Sequence, residues 1–204
     1  MENTSKKWLN FSLVFGIIAA IFISNIGFTN SCKEMYENII RIRIIANSDS
    51  SEDQALKLQI RDAVLEGSKD IFSGANDYNE AEKLALENIE HLEQTAQMVV
   101  DEKGLNYKVD LEIKDEFFDT REYDDFTLPS GTYKSLVFTV GEGEGQNWWC
   151  VAFPEVCVGG CSGTLNDSLS DSSANIAYNS DKYVVKFKTV EIFEGIKQRI
   201  KNFH

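Results

Sequence analysis

An aromatic run from Asn147 to Pro154 constrains the fold more than any other feature of the chain. It reads NWWCVAFP and holds two of the three tryptophans. The composition predicts a β-strand, on which neighbouring side chains point to opposite faces. One tryptophan is then expected in the core, and the other covers a surface or meets a partner. Pro154 cannot donate to a sheet ladder and is predicted to end the strand.

A long uncharged stretch lies near the N-terminus. Lys6 and Lys7 precede the 21 residues Trp8–Phe28, which carry no charge. This pattern predicts an export segment, residues 1–31, that acts as a signal peptide or as a membrane anchor. A lipoprotein interpretation through Cys32 is weaker, because Thr29 and Asn30 fit a lipobox poorly. Residues 32–204 are then a single extracytoplasmic domain, since 204 residues leave little room for a second core.

The overall charge is strongly acidic. The chain has 33 acidic and 20 basic residues and a net charge of −13. Such a domain is repelled by phosphate groups, so the sequence argues against nucleic acid and anionic lipid as direct ligands. Membrane contact is expected only through residues 1–31, if these are retained.

The cysteines point to disulfide chemistry. Export permits disulfides, and Cys150 is predicted to pair with Cys157 if the chain reverses at Pro154. Cys161 is an alternative partner, free buried thiols are the other alternative, and Cys32 is expected outside the fold. Gaps of seven and four residues between the last three cysteines, without a nearby histidine, do not fit a zinc site.

The first half of the chain shows one strand and two helices. Arg41–Ala46 is an isoleucine-rich strand. A helix is predicted from Ser51, where Gln54 completes a capping box. A second, long helix is predicted from Asn79, with Glu82 as its box partner, and Gly104 closes it.

The second half is predicted to be mainly β-structure. Alternation at Tyr107–Ile113 indicates a half-buried strand, and Tyr133–Val140 joins Trp148–Phe153 through the glycine-rich turn Gly141–Gly145. Residues 158–181 are expected to form a flexible loop. Tyr183–Phe187 is predicted as a last strand before an amphipathic helix that carries Ile192, Phe193, Ile196 and Ile200. The order β-α-α-β-β-β-β-α predicts an α+β two-layer sandwich, with two or three helices on one face of a mostly antiparallel sheet.

The sequence offers no catalytic constellation. The two histidines, His91 and His204, lie far in sequence from Cys150 and from any candidate nucleophile. Glu142 and Glu144 would repel phosphate from the glycine-rich turn, and the acidic run Asp115–Asp125 lacks the spacing of a calcium loop. We therefore predict no catalytic residue, no cofactor and no metal site, and we expect the protein not to be an enzyme.

Three blocks together carry a family resemblance. They are RIIANSDSSEDQALK at residues 43–57, DFTLPSG at 125–131 and the aromatic run at 147–153. In this order the chain resembles stage II sporulation protein R of endospore-forming bacteria from about Ile40 to Phe153. That family usually has Phe-Pro-Pro-Leu-Cys where this chain has FPEVC at 153–157, so the family's turn is not carried over to these residues.

The resemblance implies a signalling role. Members of this family are exported from the forespore into the space between its membrane and that of the mother cell. There they activate a membrane-bound aspartic protease, which cleaves pro-sigma-E. The resemblance therefore implies a protein partner for this chain, and a location in the intermembrane space or on the forespore membrane.

The resemblance does not say which residues touch the partner. We expect contacts from Trp149, Phe153 and Pro154 and from Asn47 and Asp49, although the turn that holds Asn47 and Asp49 is also explained as a helix cap. Two rivals stand beside this hypothesis: an exported enzyme with an unorthodox thiol or carboxylate site, and a structural envelope protein.

Overall fold

The computed structural model describes residues 2–154, 156 and 164–202, with backbone alone for residues 2–11, 17–24 and 202. The helices are α1 (Glu2–Asn38), α2 (Ser51–Phe72), α3 (Tyr78–Glu87), α4 (Ile89–Glu102), α5 (Asp171–Tyr178) and α6 (Val184–Asn202). The strands are β1 (Ile40–Ile45), β2 (Val109–Phe118), β3 (Arg121–Glu122), β4 (Thr127–Leu128), β5 (Gly131–Val140) and β6 (Asn147–Phe153). Leu165–Asp167 and Ser180–Tyr183 form 3₁₀ turns.

The main sheet has the strand order β2-β5-β1-β6. The pairs β2–β5 and β1–β6 are antiparallel, whereas β1 and β5 are parallel. β1 lies inside the sheet, and its Ile40, Ile42 and Ile44 are fully buried. Strands β3 and β4 form a separate two-stranded ribbon. The predicted α+β class with a mostly antiparallel sheet is confirmed.

Helices lie on both faces of this sheet, which corrects the predicted two-layer sandwich. On one face, Lys134 of β5 pairs with Glu82 of α3 at 3.3 Å, and Trp148 of β6 meets Arg61 of α2. The neighbouring residue Tyr133 points to the other face, where its ring contacts Tyr36 of α1 at 5.0 Å between centroids. Helices α2–α4 therefore cover one face of the sheet, and the end of α1 covers the part of the other face around Tyr133.

The N-terminal caps lie close to their predicted positions. Ser50, not Ser51, caps α2, and its hydroxyl accepts the Asp53 N–H at 3.1 Å. Asp77, not Asn79, caps α3 by accepting the Glu80 N–H at 2.9 Å. The predicted long second helix is interrupted at Asn88, whose φ of −110° and ψ of 13° leave the helical region.

The C-terminal region differs from its prediction. Within the predicted loop 158–181, Ser170 caps α5, whose Ala174 and Ala177 are fully buried, while residues 157–163 lie outside the described part of the chain. The predicted strand Tyr183–Phe187 is wrong, because α6 begins at Val184. Phe187 and Val190 are both buried. They are three residues apart, close to one helical turn, so they lie on the same face of the helix.

The last turns of α1 belong to the core. Phe28 is 3% exposed and packs edge-on against Phe187 at 5.1 Å, and Cys32 is 1% exposed. The prediction that Cys32 lies outside the fold is therefore wrong. Burial, above all, raises the pKa of this free thiol to about 12.

Most side chains of the predicted export segment, residues 1–31, lie outside the described part of the structure. Among the residues that are described, no helix combines the length and apolarity needed to cross a membrane.

Candidate functional site

The turn between β1 and α2 forms a polar latch, which we define as Asn47, Ser48, Asp49 and Asp53 with the main chain of the facing hairpin turn. Asp53 is 5% exposed and accepts hydrogen bonds from Asn47 Nδ2 at 2.8 Å and Ser48 Oγ at 2.6 Å. Burial would raise the pKa of this carboxyl, but bonds from Ser48, Asn47 and other donors outweigh burial and lower it.

The polar latch joins two segments that are far apart in sequence. Asn47 Oδ1 accepts the Glu142 N–H at 3.0 Å, and Asp49 Oδ1 accepts the Gln146 N–H at 2.7 Å. A Cβ on Gly145 would lie 2.3 Å from the Ser48 carbonyl oxygen, so only glycine fits this approach. The structural interpretation of the turn is confirmed, whereas the predicted partner contacts of Asn47 and Asp49 stay predictions.

Lys57 of α2 completes this junction. Its ammonium donates to the Gln146 carbonyl at 2.9 Å and to Gln54 Oε1 at 2.6 Å, and the side chain is 6% exposed. Burial lowers its pKa, and Asp49 opposes that shift. The sequence block 43–57 is therefore held mainly by its own turn and by the hairpin.

The outer strand β6 presents two tryptophan–arginine pairs, one on each face of the sheet. The guanidinium of Arg61 lies 5.6 Å from the Trp148 ring, and that of Arg121 lies 3.6 Å from the Trp149 ring. Both tryptophans are half-buried and pack against the hydrophobic core, so the predicted division into one core and one surface tryptophan is not observed. We call Trp148, Trp149, Arg61 and Arg121 the tryptophan edge. Trp and Arg are the residues most enriched at binding hot spots.

The other predicted contact residues lie at the far end of β6. Phe153 is 6% exposed and packs near Phe72 of α2, and Pro154 is buried. The strand separates them from the polar latch by about 20 Å. The structure thus brings Asn47 and Asp49 close to the start of β6, and it places Phe153 and Pro154 in the core instead.

Cys150 is disulfide-bonded, as the sequence suggested. Cys157 and Cys161 are outside the described residues, so pairing with Cys157 stays a prediction.

The opposite end of β1 contains a buried cation. Arg41 is fully buried and donates to the Tyr123 hydroxyl at 2.7 Å, and its guanidinium carbon lies 3.9 Å from the Phe118 ring and 5.0 Å from the Tyr133 ring. We call Phe118, Tyr123 and Tyr133 the aromatic cage. Arg41 Nε and Nη1 find no hydrogen-bond partner in the described structure.

The sequence block 125–131 packs beside this aromatic cage. The Tyr133 hydroxyl donates to the Pro129 carbonyl at 2.7 Å, and the Tyr36 hydroxyl donates to the Ser130 carbonyl at 2.6 Å. A Cβ on Gly131 would lie 2.4 Å from the Tyr36 ring, which explains the glycine. Residues 126–131 of this block are buried, whereas Asp125 is exposed, so most of the block stabilises the fold around the ribbon.

A cleft of about 590 Å³ lies between the β3–β4 ribbon and α6. Tyr123, Phe126 and Phe187 contribute aromatic surface to it, and acidic side chains such as Asp124 and Asp181 also line it. This lining disfavours anionic ligands.

The absence of catalytic and metal sites stays a prediction. His91 is exposed on α4. No group of three or more His, Cys, Asp or Glu side chains in the described ranges could hold a metal ion.

Two arginine contacts were not predicted from the sequence, that of Arg121 with Trp149 and that of Arg41 with the aromatic cage. Arg121 is the single basic residue in the acidic run 115–125, which is the only local signal that it has a special partner. Arg41 alternates with isoleucines and looks like an exposed strand residue. Both contacts join residues that are remote in sequence.

The structure is that of a small α+β protein with three distinctive features: the polar latch, the tryptophan edge and a buried arginine in an aromatic cage. Residues 36–162 match the family model described as Stage II sporulation protein R (spore_II_R), and the chain belongs to this family. The predicted resemblance is thereby confirmed, and a role in sporulation follows from it.

The chain is also similar to a curated relative, Stage II sporulation protein R of Bacillus subtilis (strain 168). The two are 36% identical over 124 residues, which cover 59% of this chain and 54% of the relative. The matched region thus spans about half the length of that protein. No solved structure matches the chain.

Proposed function

We propose that this chain is an exported signalling protein of endospore formation. It leaves the forespore, acts in the intermembrane space or from the forespore membrane, and activates a membrane-bound aspartic protease of the mother cell. That protease then cleaves pro-sigma-E. The chain itself acts by contact and carries out no chemistry.

The position of the family match carries this proposal. Residues 36–162 contain every strand, the polar latch and the tryptophan edge. We assign the tryptophan edge to the receptor, and all four of its residues that contact the receptor in this proposal lie within the family match. Of the four residues of the tryptophan edge, Arg121 and Trp149 lie on the sheet face that carries Arg43.

Activation by contact requires a difference in affinity between two receptor states. Each tenfold preference for the active state corresponds to about 1.4 kcal/mol. An arginine already stacked on Trp149 loses little side-chain freedom on binding, so more of its contact energy is available for that preference.

The direct test co-expresses the chain with the receptor protease and pro-sigma-E in a non-sporulating host. We expect cleavage when the chain is exported and none when the chain lacks residues 2–24 and stays inside the cell. Cleavage without export, or cleavage that does not require the chain, contradicts the proposal.

A paired substitution tests the surface. Trp149→Ala should lower the yield of cleaved sigma factor by about tenfold, the loss expected for a binding hot spot. Met98→Ala on α4, where the side chain is 54% exposed, is the matched control and should leave cleavage unchanged. Circular dichroism must show that both variants fold. Equal cleavage by both would remove the tryptophan edge from the proposed interface.

The rival thiol enzyme is tested separately. Cys150→Ser with Cys157→Ser should abolish a thiol-dependent reaction. A signalling protein that remains folded should still support cleavage, and Cys150 is in any case engaged in a disulfide.

A further inference from the structure

Helix α6 is apolar on two faces, and in the described part of the chain only one of them packs against other elements. Phe187 and Val190 point inward and are 5% and 8% exposed. The outer face carries a second apolar stripe whose members are 53–80% exposed: Val185, Ile192, Phe193, Ile196 and Ile200. At 3.6 residues per turn these five side chains occupy an arc of about 100°. We call them the outer stripe.

Basic residues flank the outer stripe on both sides. On the helical wheel, Lys188 and Arg199 adjoin one border, and Lys197 adjoins the other. Glu191 and Glu194 lie farther from the stripe, on the inner side, and pair there with Lys188 at 2.7 Å and with Lys197 at 3.3 Å. The charged side chains that border the outer stripe directly are therefore cationic.

The charge of α6 is opposite to that of the rest of the chain. The helix has five basic and two acidic residues, a net charge of +3, within a chain of net charge −13. The remainder of the chain therefore carries −16. The net charge that argues against anionic ligands for the whole domain does not apply to this helix.

We propose that α6 lies flat on an anionic lipid surface. The outer stripe enters the boundary between headgroups and acyl chains, and the flanking lysines and Arg199 contact lipid phosphates. An exposed apolar face bordered by basic side chains is the pattern of helices that bind in the plane of a membrane. The acidic remainder is repelled by the same surface, so α6 is the part that approaches it.

A second copy of the chain fits this face less well. In a twofold contact the same surface meets itself, which would place the basic borders of one helix against those of the other. Like charges in that arrangement oppose association. An anionic lipid surface offers the complementary charge.

Lysine footprinting on vesicles tests the proposal with the full chain. The protein is diluted from detergent into preformed vesicles of phosphatidylcholine, or of phosphatidylcholine with phosphatidylglycerol, and treated briefly with a membrane-impermeant acetylating reagent. Mass spectrometry then gives the modification rate of each lysine. We expect Lys188 and Lys197, whose side chains are 67% and 68% exposed, to react about threefold more slowly on the anionic vesicles. Lys83 and Lys103, exposed on or next to α3 and α4, should react equally on both.

Two double variants separate α6 from every other membrane contact. Phe193→Ser with Ile196→Ser removes the centre of the outer stripe and should abolish the protection. Leu86→Ser with Met98→Ser removes apolar side chains of similar exposure, 55% and 54%, from other helices and should retain it. All four positions are exposed, so the variants are expected to fold, which circular dichroism checks.

Equal reactivity of Lys188 and Lys197 on both vesicles would overturn the proposal. Protection that appears on neutral vesicles and grows with protein density would also overturn it, in favour of self-association. The footprint needs no protease, so this inference and the proposed signalling role can fail independently.

Discussion

Each end of β1 carries an arginine on the same face of the sheet. The two arginine charges are compensated by different groups. Arg43, near the polar latch, has a side chain that is 27% exposed, and it donates to the Glu116 carboxylate and to Asn147 Oδ1. Arg41 is fully buried, and the described residues give it aromatic faces and one tyrosine hydroxyl instead of a carboxylate. The positive charge of Arg43 is thus compensated by an ion pair near solvent, and that of Arg41 by the aromatic cage in the interior.

This difference shows which end of the strand depends on packing and which on electrostatics. A cation over aromatic rings gains about 2 kcal/mol when desolvated, which is less than the cost of burying a lone charge. The stem of Arg41 must therefore contribute through the volume that it fills. At the polar latch, by contrast, directional bonds to carboxylates dominate.

The largest expected effect comes from Arg41. Arg41→Ala should lower the free energy of unfolding by about 3 kcal/mol, because it leaves a cavity in the core. Arg41→Met keeps most of the volume without the charge and should change it by less than about 1 kcal/mol. Urea unfolding followed by circular dichroism measures both. A similar large loss in the two variants would mean that the charge, not the volume, stabilises this end.

A smaller effect is expected at Asp53. Asp53→Asn should cost about 2 kcal/mol at pH 7, because a buried carboxylate that accepts several bonds is replaced by an amide. The folded pKa of Asp53 is lowered below its ordinary value of 3.8, so its contribution is complete above that value and is lost as pH falls through the lowered pKa. The difference between wild type and variant should therefore shrink in acid.

Urea midpoints between pH 7 and pH 2 measure this convergence. Arg41→Met is the control, because its difference from wild type should not follow the titration of Asp53. A constant gap between wild type and Asp53→Asn across this range would show that the carboxylate charge does not stabilise the polar latch.

The smallest effect is expected at Arg43. Arg43→Ala should cost about 1 kcal/mol or less, since partly exposed ion pairs contribute little. The cost should fall in 1 M salt, where screening weakens the pair with Glu116. Thermal unfolding at low and high salt tests this, and a loss as large as that of Arg41→Ala would erase the distinction between the two ends.

Local signals were enough to predict much of the fold. Caps near Ser51 and apolar spacing predicted α2, alternation predicted β2, and two apolar runs on either side of a glycine-rich turn predicted β5 and β6. The prediction for the C-terminal region failed because Val185 and Phe187 alternate with Lys186 and Lys188 as in a strand. The burial of Phe187 instead depends on its contact with Phe28 of α1. Such tertiary contacts override a short local pattern.

The candidate site was predicted in part for the same reason. The aromatic run was recognised from its composition, whereas the cations that cover Trp148 and Trp149 come from distant segments. The burial of Phe153 also could not be predicted, because the register between β1 and β6 shifts near Ile40. A shift of one residue changes the face to which a side chain points.

The bond between α1 and α5 has a consequence for how the two ends of the chain can change. Glu34 accepts hydrogen bonds from the Ser170 N–H, the Ser170 hydroxyl and the Ser173 hydroxyl, across 136 or more residues of sequence. Most of α1 and all of α5 lie outside the segment shared with the family. Substitutions at Glu34 and at Ser170 or Ser173 are therefore expected to be coupled, although these residues lie near opposite ends of the polypeptide.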